Sequence, residues 1–116
     1  MIIYCDMDMV LCNFLKGALD VTGEPFPDKT GKLSKDEKKA IISSKKDFWD
    51  TLEWMPDGKK LWAHITKGGA DVRILSAYAE WDSNCRRGKR VWIARNLKPK
   101  PSKIPVSYTH LTLPTT

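Results

Sequence analysis

Two aspartates, Asp6 and Asp8, are the residues of this chain whose type and spacing are best suited to chemistry. They stand one residue apart after a short apolar run at residues 1–5, which predicts a buried strand of an α/β sheet. Open α/β sheets bind ligands at the carboxyl ends of their strands, and residues i and i+2 of an extended segment point to the same side. The two carboxylates can therefore share one metal ion or one phosphoryl group. The alternative is a polar strand end that leads into a helix cap, where Asp is common.

The stretch DMDMVLCNF at residues 6–14 resembles the first motif of the haloacid dehalogenase (HAD) superfamily of phosphohydrolases, and its nucleotidase branch in particular. The resemblance implies that Asp6 attacks phosphorus to form an aspartyl-phosphate and that Asp8 transfers protons. It also implies a Mg²⁺ ion held by the Asp6 carboxylate and the Asp8 backbone carbonyl. Met9 stands where the family usually has glycine, which eases a tight turn, so we expect altered geometry there.

Two further segments resemble the phosphate-binding motifs of the same family. Ser76 closes an apolar strand, and the resemblance implies that its hydroxyl binds the phosphate. Lys89 lies in a Lys-x-x-Trp context, which implies a basic residue that clamps the phosphate, with Arg87 or Arg90 as substitutes. Taken alone, a serine that ends a strand is usually an ordinary turn residue. The alternative for the lysine is a solvated basic turn.

Aromatic residues supply the candidate substrate pocket. In the nucleotidase branch a small helical cap closes over the substrate, and its aromatic side chains stack on the base or line the pocket. The resemblance therefore implies pocket roles for Phe14, Phe48 and Trp49, with Trp54 as a further candidate. Each of these residues is also a plausible core residue, which is the commoner role of an aromatic side chain.

The elements that position these residues follow the order of a parallel α/β sheet with right-handed crossovers. The predicted helices are 10–21, 35–43, 56–67 and 88–97, and the predicted strands after the first are 71–77 and one beginning at 104–106. Gly23 marks the end of the first helix, and Ser34 with Glu37 fits a capping box at the start of the second. The fold implied by the resemblance is a Rossmann-like HAD parallel sheet. Residues 14–55 would form the helical cap insertion within a HAD-like domain of residues 1–105.

Composition narrows the setting of the protein. The chain has 116 residues and a formal net charge of +6, and no apolar stretch approaches the ~20 residues that cross a bilayer. The N-terminus lacks the basic region and cleavage site of a signal peptide, and the three cysteines have no metal-type spacing. We therefore expect a reducing, cytoplasmic location and no membrane partner.

The net positive charge is concentrated near the C-terminal end of the chain, because no Asp or Glu follows Asp82 whereas eight Lys and Arg lie between residues 86 and 103. A basic run is usually a solvated face, although it can also attract an anionic substrate or a nucleic-acid backbone. Aromatic residues do not alternate with it along the chain as they do in single-strand binding proteins. Nucleic acid is therefore a less favoured partner than a small phosphorylated substrate.

The C-terminal segment, residues 106–116, is unlike the rest of the chain. It has no Asp, Glu, Lys or Arg and resembles a peptide produced when sequencing-adapter DNA is read as coding sequence. HAD phosphohydrolases complete their Mg²⁺ site with further acids after a third strand, and this chain has none there. We expect a non-native tail on a domain that is incomplete at its C-terminus; the alternative is a genuine short β-hairpin.

These features together predict a Mg²⁺-dependent phosphomonoesterase of the 5′(3′)-deoxyribonucleotidase type, impaired if the domain is incomplete. A polynucleotide 5′-end or a small phosphorylated metabolite remains an alternative substrate. A catalytically impaired HAD-like module that binds anions or nucleic acid is the non-enzymatic alternative. The oligomeric state is not indicated by the sequence.

Overall fold

Parallel strands and flanking helices alternate along the chain. The computed structural model describes residues 1–27 and 31–106. The elements are β1 (Ile2–Asp6), α1 (Phe14–Thr22), α2 (Lys35–Ser43), α3 (Gly58–Lys67), β2 (Asp71–Leu75), α4 (Cys85–Asn96) and β3 (Lys103–Val106). The described residues therefore form a small mixed α/β domain, which confirms the predicted α/β class.

The sheet has the order β1-β2-β3, and both strand pairs are parallel. The register places Asp6, the last residue of β1, opposite Leu75, the last residue of β2. Because parallel strands end at the same edge of a sheet, the residues that follow β1 and β2 emerge side by side. This register brings the segment containing Asp8 next to Ser76.

Apolar side chains on one face of the sheet pack against the helices to form the core. Cys5 of β1 and Ile74 of β2 are register partners and are both buried. Trp92 of α4 is fully buried, and its indole N–H donates to the backbone carbonyl of Leu52 at 2.7 Å. A buried indole usually finds such a partner, because an unmade hydrogen bond in the interior is costly.

Helix α1 begins at Phe14, whereas the sequence pattern predicted a start at Val10. The intervening residues form a hydrogen-bonded loop, in which the carbonyl of Met7 accepts from the N–H groups of Leu11 and Cys12 at 2.9 and 3.0 Å. Leu11 and Cys12 are fully buried, so their apolar character serves the core from a loop rather than from a helix. The predicted end is confirmed, because Gly23 caps the helix with φ 79°.

The other element boundaries agree more closely with the sequence pattern. Helix α2 spans the predicted residues, and its capping box between Ser34 and Glu37 is present in both directions. Helix α3 ends at Lys67 as predicted but begins at Gly58 instead of Pro56. Helix α4 begins at Cys85, three residues before the predicted start, so Lys89 lies in its second turn.

The third strand is confirmed as β3, and the residues assigned to a non-native tail from 107 onward lie outside the described residues. Within the described part of the chain, no helix has the length and apolar character needed to cross a bilayer.

Candidate functional site

Lys89 joins the ends of β1 and β2 through its side-chain ammonium. Its Nζ donates to Oδ2 of Asp8 at 2.9 Å, to Oγ of Ser76 at 2.7 Å and to the carbonyl of Ala77 at 2.6 Å. An ammonium has three N–H donors, so these contacts use all of them. Lys89 is only 1% exposed, which makes this a buried, charge-assisted network. The structure thus brings together three of the residues predicted from sequence.

The close approach of α4 places Lys89 at this position. Gly88 packs against the segment that contains Trp49, and a Cβ on Gly88 would lie 2.5 Å from the Cβ of Trp49. Real carbon atoms do not approach so closely, so any larger residue would push the helix outward. The Nζ of Lys89 also lies 5.4 Å from the ring centroid of Trp49, within the range of a cation–π contact.

The loop after β1 presents Asp8 in a strained turn. Met9 has φ 61°, the left-handed region that favours glycine, and its N–H donates to the carbonyl of Cys12 at 2.7 Å. The loop is tied to the later segment 53–55 because the N–H of Met55 donates to the carbonyl of Leu11 at 2.7 Å. The altered geometry expected at Met9 is therefore backbone strain, because a residue with a side chain adopts here the left-handed conformation that glycine adopts at little cost.

Asp6 and Asp8 share a cleft of about 170 Å³ with Ser76. Asp6 is exposed at the end of β1, and the side chain of Asp8 is 38% exposed. Oδ1 of Asp8 is buried and has no hydrogen-bond partner among the described residues. Such an oxygen is suited to accept a ligand, because an unsatisfied buried acceptor is costly.

The donors in this cleft fit Mg²⁺, which proteins commonly hold through one or two carboxylates together with waters and substrate phosphates. The orphaned Asp8 Oδ1 and the carboxylate of Asp6, which is exposed at the end of β1, are the oxygens that would hold the ion. Within residues 1–27 and 31–106, no group of three or more His, Cys, Asp or Glu side chains is arranged to hold a metal ion. Any Mg²⁺ bound here would therefore depend on the Asp6–Asp8 pair and on the ligand.

A second cavity, of about 230 Å³, opens beside Asp8 and Lys89. We call it the aromatic cavity, because its walls include the rings of Phe14, Phe26, Trp49, Tyr78 and Trp81. Phe14 and Trp49 are stacked at 5.4 Å between centroids, and Phe26 and Trp81 are stacked at 6.2 Å. Two of the three pocket residues predicted from sequence, Phe14 and Trp49, thus border the same space as Lys89.

The third, Phe48, does not line the aromatic cavity. It is buried, its ring packs edge-on against Trp49 at 5.1 Å, and it borders a separate groove on the side of Gly17. Trp54, the additional candidate, packs against Trp92 at 4.9 Å and does not border the aromatic cavity either. The structure places both residues behind or away from the wall of the cavity.

Sequence reasoning missed a buried carboxylate that positions Trp49. Asp82 is 4% exposed, and its Oδ2 accepts from the indole N–H of Trp49 at 2.7 Å. Its other oxygen accepts from the backbone N–H of Asn84 at 2.9 Å, just before α4. An acid two residues ahead of a helix N-cap was visible in the sequence, but nothing there linked it to Trp49.

The three cysteines are buried free thiols and do not suit nucleophilic chemistry. Burial, reinforced by the negative charge of Asp6, raises the pKa of Cys5 to about 11. Burial and then the charge of Asp8 raise the pKa of Cys12, and burial raises that of Cys85. The raised pKa values keep these thiols protonated near neutral pH, and they are therefore unreactive because the thiolate is the reactive form.

Comparison with known proteins gives no assignment: no family model matches this chain, and no curated protein matches it.

Proposed function

We propose that this protein is a nucleotidase-like phosphomonoesterase that depends on Mg²⁺, built on a Rossmann-like HAD sheet with a helical cap. One observation carries the proposal: Lys89 bridges Asp8 and Ser76 at the edge of the sheet where β1 ends with Asp6. An isolated D-x-D pair has many explanations. A buried lysine from a distant helix that contacts both the acid and the serine supplies fixed positive charge where charge would develop on a phosphoryl group.

In the proposed reaction, a carboxylate oxygen of Asp6 attacks phosphorus and the bond to the leaving oxygen breaks. Asp8 must carry a proton at this step, and it gives that proton to the leaving oxygen. Asp8 then accepts a proton from the water that hydrolyses the aspartyl-phosphate, which returns it to the protonated form. Ser76 and Lys89 bind the phosphoryl oxygens as charge develops on them. A Mg²⁺ ion bound by the aspartates would neutralise further phosphoryl charge.

The aromatic cavity supports a substrate that has a planar ring, such as a nucleotide. Its rings of Phe14 and Trp49 border the same space as the Lys89 ammonium. A phosphate in the cleft and a base among these rings would then belong to one small molecule. Aromatic side chains stack on bases without strict sequence preference, so the identity of the base stays open.

The test is phosphate release from deoxynucleoside monophosphates with and without Mg²⁺. We expect Asp6→Asn to lower kcat by about 10⁴-fold or more, because the amide is not a nucleophile. Asp57→Asn is the matched control, since Asp57 is exposed and its side chain makes no capping hydrogen bond. Phosphate release that survives Asp6→Asn would exclude Asp6 as the nucleophile.

The alternative is a HAD-like module that binds anions or nucleic acid without turnover. The strained Met9 and the absence of a third acid near the cleft, among the described residues, favour it. This alternative predicts salt-dependent anion binding that is indifferent to Mg²⁺ and unaccompanied by phosphate release.

A further inference from the structure

Cations and aromatic rings alternate in space around the aromatic cavity. Nζ of Lys35 lies 5.8 Å from the ring centroid of Phe26, and Nζ of Lys39 lies 5.7 Å from that of Trp81. Residues four apart on a helix lie on one face, so α2 places both lysines beside the stacked Phe26–Trp81 pair.

Helix α4 supplies a third cation. The guanidinium carbon of Arg86 lies 4.3 Å from the ring centroid of Tyr78, another wall of the cavity. We call Lys35, Lys39 and Arg86 the cationic rim. Lys35 and Arg86 are exposed and Lys39 is half-buried. In the part of the chain that the structure describes, none of them forms an ion pair, so their charge is available to an anion.

We propose that the substrate is the phosphorylated end of a single-stranded nucleic acid. Its terminal nucleotide would occupy the aromatic cavity, with the following phosphates on the cationic rim. Stacked aromatic side chains interleaved with positive charge are the features that bind single strands. This inference rests on the proposed function only for the position of the terminal phosphate, beside Lys89.

The size of the cavity agrees with a substrate that extends beyond it. At about 230 Å³ it is smaller than the roughly 300–1,000 Å³ typical of pockets that enclose whole small molecules. It can enclose one terminal unit, and the remainder of a longer ligand would lie across the rim. A duplex end is a poorer fit, because its bases stay paired and stacked on each other and are not free to contact the rings.

Basic and aromatic residues do not alternate along the sequence, but the folded chain still places them alternately around the aromatic cavity. The rim residues come from α2 and α4, and the rings beside them come from the loop after α1 and the loop after β2. Folding brings these segments together around one opening.

The experiment measures binding separately from turnover by using Asp6→Asn protein. Fluorescence anisotropy would follow eight-residue dT oligonucleotides that carry a 5′-phosphate, a 3′-phosphate or no phosphate, with dTMP and a blunt duplex as competitors. The test variant is K35Q/K39Q/R86Q. The matched control is K60Q/K67Q/K100Q, which removes the same charge from exposed residues away from the cavity.

We expect the rim variant to bind a phosphorylated single strand at least about tenfold more weakly. The magnitude of its negative slope of log K against log[salt] should decrease by about 2. The control should change both by much less. Equal losses in the two variants, an oligonucleotide that binds no better than dTMP, or a duplex that competes equally would each overturn the inference. If the triple variant melts early, Arg86→Gln alone should still weaken binding more than Lys60→Gln.

These binding measurements, taken together with the phosphate-release assay on wild-type protein, separate this inference from the proposed function. Rim-dependent binding of the phosphorylated strand without phosphate release by wild-type protein would retain the strand-binding site but exclude the phosphatase, and with it the strand as a substrate. Phosphate release from dTMP with no preference for the strand would retain the phosphatase and exclude the inference.

Discussion

Replacing Lys89 with Met tests whether the buried ammonium holds the edge of the sheet together. The substitution keeps a long, flexible apolar side chain of similar size, so little cavity forms. It leaves the buried Oγ of Ser76 without its donor, which costs about 1–3 kcal/mol. Asp8 also loses its partner, but its side chain is 38% exposed and can be hydrated, so that loss is at most about 1 kcal/mol. We expect the free energy of unfolding to fall by about 1–4 kcal/mol.

Urea denaturation, followed by circular dichroism and by tryptophan fluorescence, measures this change. Arg90→Met is the matched control, one residue further along α4 and exposed, and it should cost less than about 0.5 kcal/mol. A double-mutant cycle with Ser76→Ala should show coupling of about 1 kcal/mol, because the two side chains share a hydrogen bond. If Lys89→Met costs no more than Arg90→Met, or the cycle is additive, the network does not exist as described.

Three further predictions concern the turn, the helix packing and the thiols. Met9→Gly should raise the free energy of unfolding by about 0.5–1 kcal/mol, because Met9 has φ 61°, whereas Met9→Ala should not raise it. Gly88→Ala should lower that energy by about 1–3 kcal/mol, since the new Cβ would meet Trp49 at 2.5 Å; Gly68→Ala, into open space, is the control. Stability should also fall as pH rises above 9, because the thiol of Cys5 ionises in the unfolded chain near 9.0 but in the folded protein only near 11.

Each of these predictions has a result that contradicts it. Equal stability of the Met9→Gly and Met9→Ala proteins in urea would mean that the turn is not strained. A Gly88→Ala protein with the same melting temperature as wild type would mean that α4 does not approach the segment containing Trp49 as closely as described. For the thiols, labelling of native protein by a thiol reagent at pH 8 as fast as in urea would show that Cys5 is neither buried nor protonated.

Local signals predicted much of the fold. The capping box of Ser34 and Glu37 marked the start of α2, and Gly23 marked the end of α1, because each acts on backbone groups within a few residues. The α1 start was misplaced because Leu11 has helical spacing yet enters the core from a loop. The first turn of α4 was missed because its exposed Arg86 and Arg87 show no apolar periodicity.

In the candidate site, too, some residues could be predicted from the sequence and others could not. The sequence singled out Asp8, Ser76 and Lys89, and the register of β1 with β2 explains why they meet. The bond from Trp49 to Asp82 could not be predicted, because the two residues are 33 positions apart and no local pattern couples them. Long-range packing, which periodicity does not report, decides which rings face a cavity.

The full use of the Lys89 donors makes Asp8 an internal competitor for any phosphate. A phosphate oxygen that accepts from this ammonium must replace one of its three partners. Asp8 is the partner more readily replaced than Ser76, because the side chain of Asp8 is 38% exposed whereas Ser76 is buried. If phosphate binds as proposed, its measured affinity is the intrinsic affinity reduced by the strength of the Lys89–Asp8 ion pair. Removing the charge at Asp8 should tighten phosphate binding even as it slows turnover, so ground-state affinity and catalytic rate would change in opposite directions at one residue.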